Sequence, residues 1–150
     1  MGEVKHVWAE GSRMTGDAEL AAKVCDELEA KGAFSAESLV DASRDEDAPL
    51  HDMFEWNDTI AAEKYRVEQA RKIIRSIVVV MDDKPITYRA YSSTGPKVYM
   101  STAKALSETR TRQILLNTAK AELVAFKRKY QTLTELSEVF DAIDKVNGQA

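Results

Sequence analysis

Lys64, Arg71, Lys72 and Arg75 lie within residues 64–75. At 100° per residue Lys64, Arg71 and Arg75 share one side of a helix, with Lys72 and Tyr65 flanking them. Cations spaced in this way neutralise phosphates and release their counterions. Arg89 and Lys97 belong to, or stand beside, the hairpin that follows. Arg110, Arg112, Lys120, Lys127, Arg128 and Lys129 fall on a later, longer helix. Tyr88, Tyr91 and Tyr99 would add base stacking or phosphate hydrogen bonds. The chemistry this pattern predicts is phosphate binding by a nucleic-acid surface.

The formal net charge is -4, from 21 Lys and Arg against 25 Asp and Glu. Its distribution is uneven. Residues 1–56 hold 5 basic and 14 acidic side chains, residues 57–131 hold 15 and 7, and residues 132–150 hold 1 and 4. An acidic front therefore precedes a basic middle. The competing reading of the same counts is that the basic middle pairs with the acidic front inside one subunit and presents nothing to a ligand.

Enzymatic signals are sparse. The chain has no Gly-rich phosphate loop, no G-x-S-x-G elbow and no H-E-x-x-H, and its two histidines, His6 and His51, are far apart in sequence. Asp45, Glu46, Asp47, His51, Asp52 and Glu55 form the one cluster with donors suited to a divalent cation. The simpler reading makes Asp47 a helix cap, the other acids solvated and His51 an edge of the core. Cys25 is surrounded in sequence by Asp26, Glu27 and Glu29, the wrong setting for a reactive thiolate. A buried, inert thiol is expected, and with it no cofactor, no resident metal and no catalysis.

One cysteine excludes an intramolecular disulfide and any multi-cysteine metal site within one chain. The longest apolar run, Ile77 to Met81, is far short of the roughly 20 residues of a membrane span, and Met1 to Glu10 is too polar for a signal peptide. These features predict a soluble intracellular protein with one folded unit over 1–150, preceded by a partly mobile arm over 1–14 that Val7 and Trp8 can dock.

The elements that must carry the basic groups follow from periodicity. A first helix is predicted over Asp17 to Lys31, on the spacing of Leu20, Val24 and Leu28, with Cys25 on the same face and Gly32 as its stop. A second begins after Ser35 as cap, with Phe34 and Leu39 as a hydrophobic staple, and ends near Ala42 or Ser43. Pro49 opens a very short helical turn through Leu50, Met53 and Phe54. The next helix, capped by Asn57 or Asp58, places Ile60, Val67, Ala70, Ile73, Ile74 and Ile77 on one arc. Ser76 to Met81, Pro85 to Tyr91 and Lys97 to Met100 then read as a small antiparallel meander, with Asp82-Asp83-Lys84 and Ser92 to Pro96 as its turns. A turn near Thr102 to Leu106 leads into a helix over Glu108 to Tyr130 with the stripe Leu115, Ala119, Leu123, Phe126 and Tyr130. A last helix, capped by Thr132 with Glu135 in a capping box, presents Leu133, Leu136, Phe140 and Ile143. The fold class is α+β: an N-terminal helical unit over 15–77, a small sheet over 78–100 and a C-terminal helical hairpin over 101–147.

The first helices admit a helix-turn-helix with the strands over 76–91 as a wing. The residues oppose it. The segment after the turn at Gly32-Ala33 carries Glu37, Asp41, Asp45, Glu46, Asp47 and Asp52 against Arg44 alone, and a helix facing phosphates needs the reverse.

Pro49-Leu50-His51-Asp52-Met53-Phe54-Glu55-Trp56, running into Ala61-Ala62-Glu63-Lys64-Tyr65-Arg66-Val67-Glu68-Gln69-Ala70-Arg71, and the later Glu122-Leu123-Val124-Ala125-Phe126-Lys127-Arg128-Lys129-Tyr130 resemble a family of small, mostly uncharacterised bacteriophage and prophage proteins. The resemblance spans about Asp17 to Ile143 and brings no assigned active site. It implies a phage product in the bacterial host cytoplasm or the virion. The function expected is a non-enzymatic accessory protein that binds nucleic acid through the basic face of 57–131, with Lys64, Arg71, Lys72, Arg75, Arg89 and Lys97 as contacts and no membrane partner. The alternative is a protein-interaction module, either self-assembling or inhibiting a host protein through the acidic front.

Overall fold

The computed structural model describes residues 4–60, 62–81 and 84–148. The architecture is α+β, with N-terminal helices, a small set of antiparallel strands and C-terminal helices. The chain divides into two compact units, 1–105 and 106–150.

In the first unit, β1 (Val4–Trp8) lies antiparallel to β2 (Ile77–Met81), with Trp8 opposite Ile77. Within the segment predicted as an arm, Val4–Trp8 is thus a strand, and Val7 and Trp8 dock by becoming part of the ladder. Trp8 donates its indole N–H to the Gly16 carbonyl at 2.9 Å. β3 (Lys84–Arg89) pairs with the other edge of β2, giving the order β1-β2-β3. Of the predicted hairpin turn, Lys84 opens β3, while Asp82 and Asp83 lie outside the described residues.

The meander does not continue. At Ala90 the chain leaves the first sheet, and β4 (Tyr91–Gly95) pairs with β5 (Val98–Ser101) in a separate two-stranded sheet. The segment predicted as a turn, Ser92 to Pro96, is mostly strand. Ala90 bonds to both sides of the break: its N–H donates to Ile77 at 3.0 Å and its carbonyl accepts from Thr102 at 2.8 Å.

Asp17 caps α1 (Ala18–Ala30) by accepting from the Glu19 N–H, and Ser35 caps α2 (Ala36–Ala42) in a reciprocal box with Ser38. The core face of α1 is Ala18, Ala21, Ala22, Val24, Cys25 and Leu28. Leu20 is 38% exposed, because rows at i+4 rotate about 40° per step and carry it off the face centred on Cys25. His51–Met53 forms a single 3-10 turn. α3 (Glu63–Ser76) starts later than predicted, with Ala62 at its cap position. Asn57 instead accepts from the Thr59 N–H at 3.0 Å and its hydroxyl at 2.7 Å, closing a local turn that leaves Ile60 69% exposed. One core joins Leu28, Phe34, Leu39, Phe54, Ile73, Ile74 and Ile77 with Tyr91.

α4 (Thr102–Ser107) crosses from the first unit to the second, which holds α5 (Thr109–Tyr130) and α6 (Ser137–Val146). The predicted capping box at Thr132 is absent. The chain makes a 3-10 turn over Thr134–Leu136, with no side-chain cap there or at the start of α6. Phe140 and Ile143 are buried as expected, whereas Leu123, Phe126 and Leu133 of the predicted stripes are exposed. Among the described residues no helix is long and apolar enough to cross a membrane.

Leu39 is fully buried at the centre of the first unit. Leu39→Ala is expected to cost about 2–5 kcal/mol in urea-induced unfolding of the full chain.

Candidate nucleic-acid interface

α3 has two opposed faces. Arg66, Ala70, Ile73, Ile74 and Ser76 are buried, and 3.6-residue periodicity places Lys64, Glu68, Arg71 and Arg75 opposite. Lys64, Lys72 and Arg75 are exposed and, among the described residues, form no ion pair. Arg71 differs. It pairs with Glu68 one turn away and approaches Glu37 of α2 at 4.0 Å.

Lys97 sits between β4 and β5 with φ +59°, a left-handed conformation that tightens the turn after Pro96. The turn brings it to α3. Lys64, Arg71 and Lys97 line one recess of about 540 Å³ together with Glu37, Glu63, Val67 and Glu68. Arg89 is exposed on β3 opposite Val78 and lines none of that recess. Of the six predicted contacts, then, three meet in one place, Lys72 and Arg75 extend the same helix, and Arg89 stands on another element.

The tyrosines divide. Tyr91 is buried, its ring edge-on to Phe34 at 5.1 Å, and its hydroxyl donates to Asp26 at 2.7 Å with the Ala22 carbonyl 2.9 Å away. Burial first, and the Asp26 bond second, push its pKa far up; it is a core residue with no face left for a base. Tyr99 leans on Phe34 at 5.6 Å and Tyr88 is half-buried. In the second unit Lys127 is bound to Asp144 at 2.6 and 2.7 Å.

Charge pairing between front and middle is partial. Arg71 reaches Glu37 and Arg44 bonds Glu63 across the two segments, whereas Arg44–Asp41 lies within the front and Arg66 pairs with Asp58 and Glu63 within the middle. Lys64, Lys72, Arg75, Arg89 and Lys97 stay outside these pairs.

The cluster considered for a cation is occupied by structural bonds. The His51 Nδ1 lies 2.9 Å from the Ser43 carbonyl, so that nitrogen carries the proton, and the ring stacks on Trp56 at 5.0 Å. Asp45 accepts from the Asp47 N–H, and Glu55 from the Asn57 N–H. Among the described residues no group of three or more His, Cys, Asp or Glu is placed to hold a metal. Cys25 is buried, and desolvation, with Asp26 and Glu29 beside it, raises its pKa far above the ordinary value. Burial of the thiol matches the core position expected from the first helix's apolar face.

Two arrangements escaped the sequence reading. His6 on β1 meets Glu19 on α1, with Nδ1 2.9 Å from Oε2 and the His6 N–H donating to Oε1 at 2.7 Å. No local signal links residues thirteen apart across a strand and a helix. The second is Arg66, 5% exposed. It donates to the Glu55 carbonyl at 2.9 Å and the Trp56 carbonyl at 3.2 Å, pairs with Asp58 and Glu63, and lies 5.1 Å from the centre of the Trp56 ring. The Phe54-Glu55-Trp56 and Tyr65-Arg66 segments are the two halves of this clasp. Its signal was an Arg at an apolar position of α3.

Arg66→Lys cannot fork between two carbonyls and two carboxylates, so it is expected to lower the thermal midpoint clearly where Arg75→Lys leaves it unchanged. The Glu19 pKa is lowered, first by the His6 N–H bond and, after an opposing desolvation, by the His6 side chain. Its contribution to stability is therefore complete above the unfolded carboxylate value of 4.5 and lost as pH falls through the lower folded value. Glu19→Gln should flatten that acid limb in pH-dependent unfolding by less than about 1 kcal/mol, since the pair is partly solvated.

Compared with known proteins, the chain matches no family model, no curated sequence and no solved structure.

Proposed function

We propose that the protein is a non-enzymatic phage accessory protein that binds nucleic acid through the outward face of α3 and the adjoining β4–β5 turn. The observation that carries this reading is that Lys64, Lys72, Arg75 and Lys97 are exposed and free of ion pairs among the described residues. Phosphates meeting Lys72 and Arg75 displace only counterions, while Lys64 and Lys97 share their recess with Glu37, Glu63 and Glu68. Arg71 must first leave Glu68 and Glu37, so its role is secondary. The acidic residues of α1 and of the turn over 44–47 lie on other elements, and at physiological salt a Debye length of about 8 Å confines their repulsion to their own surroundings. The phage context is drawn from the sequence resemblance and implies a bacterial cytoplasm or virion.

Fluorescence anisotropy with random duplex DNA, single-stranded DNA and RNA tests the site. Binding should be saturable at low salt and fall steeply toward physiological salt. Lys64→Glu, Lys72→Glu and Arg75→Glu together should abolish it, single Ala replacements should each reduce the salt slope by about one, and Glu68→Gln should strengthen it. No binding at low salt, or full affinity in the triple variant, contradicts the reading.

A further inference from the structure

The second unit leaves an apolar seam uncovered. α5 has 22 residues and α6 has 10, or about 33 Å against about 15 Å of helix. Phe126 meets Phe140 at 6.4 Å between ring centres, and Lys127 meets Asp144, so α6 runs beside the C-terminal half of α5. Leu116, Ala119, Leu123, Phe126 and Tyr130 recur at alternating spacings of three and four, the period of a supercoiling seam. Leu116 is 46% exposed, Leu123 37% and Phe126 40%. On α6, Val139 and Val146, one heptad apart, are 45% and 50% exposed. Exposed large apolar side chains aligned at this period form a seam rather than ordinary scatter, and such seams mark interaction surfaces.

Charge identifies the occupant. Residues 106–131 carry six basic and two acidic side chains, and residues 132–150 carry one and four. Among the described residues, Lys127–Asp144 is the one ion pair between α5 and α6, leaving Arg128 and Lys129 exposed on the first helix and Glu138 and Asp141 exposed on the second. A hairpin basic on one helix and acidic on the other is complementary to itself. A two-fold axis lays α5 of each copy along α6 of its partner, and an interface of this kind satisfies both charges and seam at once. We infer that the C-terminal hairpins of two copies of this chain pair into a four-helix bundle, closing the Leu116–Leu123 seam. The inference does not depend on the nucleic-acid reading, because it uses none of the residues of α3.

Light scattering and sedimentation of the full chain test it. The expected mass is twice that of the chain. Leu116→Glu with Leu123→Glu should weaken the dimer roughly tenfold or more with an unchanged far-ultraviolet spectrum, since both side chains are exposed in one copy. Glu138→Lys with Asp141→Lys keeps every apolar contact, and should also shift the equilibrium to monomer; adding Arg128→Glu and Lys129→Glu should restore the dimer. A monomer at every accessible concentration overturns the inference. So does a dimer indifferent to both double variants.

Discussion

The Arg66 guanidinium ties the irregular segment of the first unit to α3. A planar cation with five N–H donors is taken out of water only when its fork is filled, and here the carbonyls of Glu55 and Trp56 and the carboxylates of Asp58 and Glu63 fill it. Trp56 lies between this cation and the His51 ring, and its own N–H returns to the His51 carbonyl at 2.8 Å. The irregular segment over 51–58 is therefore fastened to α3 by polar bonds on one side, while Leu50 and Phe54 enter the core on the other. Arg66 lies about 200° around the helix from Lys64, so the same clasp that buries one face of α3 turns the Lys64–Arg75 face outward.

The acidic and basic halves of the sequence meet only in part, and the incompleteness has a structural cause. Ion pairs need side chains within reach, and among the described residues those joining α3 to the acidic front are Arg71 with Glu37 and Glu63 with Arg44. Lys72 and Arg75 are exposed and, among the described residues, form no ion pair. Much of the acidic excess belongs to α1, where Glu19 serves β1 through His6, Asp26 serves Tyr91 and Glu29 serves Ser101. Those carboxylates are structural acceptors that tie strands to a helix.

The parts legible in the sequence are those set by local chemistry. Ser35 as a cap, the buried Ile73 and Ile74 of α3 and the buried Cys25 all depend on neighbours within a few residues, and all appear in the structure. What was not legible depends on partners far along the chain. β1 becomes a strand because β2 offers an edge some seventy residues away; the split at Ala90 depends on bonds to Ile77 and Thr102; and Asn57 loses its expected role because its amide is used in a tighter turn. The candidate site shows the same division. The helical stripe of Lys64, Arg71 and Arg75 is local and was readable, whereas Lys97 joins it only through the turn between two strands.

The central claim is that the outward face of α3, with Lys97 beside it, is the surface that meets phosphates. An amide ¹⁵N–¹H correlation spectrum recorded during titration with a short random duplex examines that claim residue by residue. The account predicts that signals from 64–75 and from the turn around Lys97 move together in fast, salt-sensitive exchange, while those of α1 stay in place. Shifts confined to α1, α2 or β1, or a spectrum unchanged at saturating duplex, would contradict it.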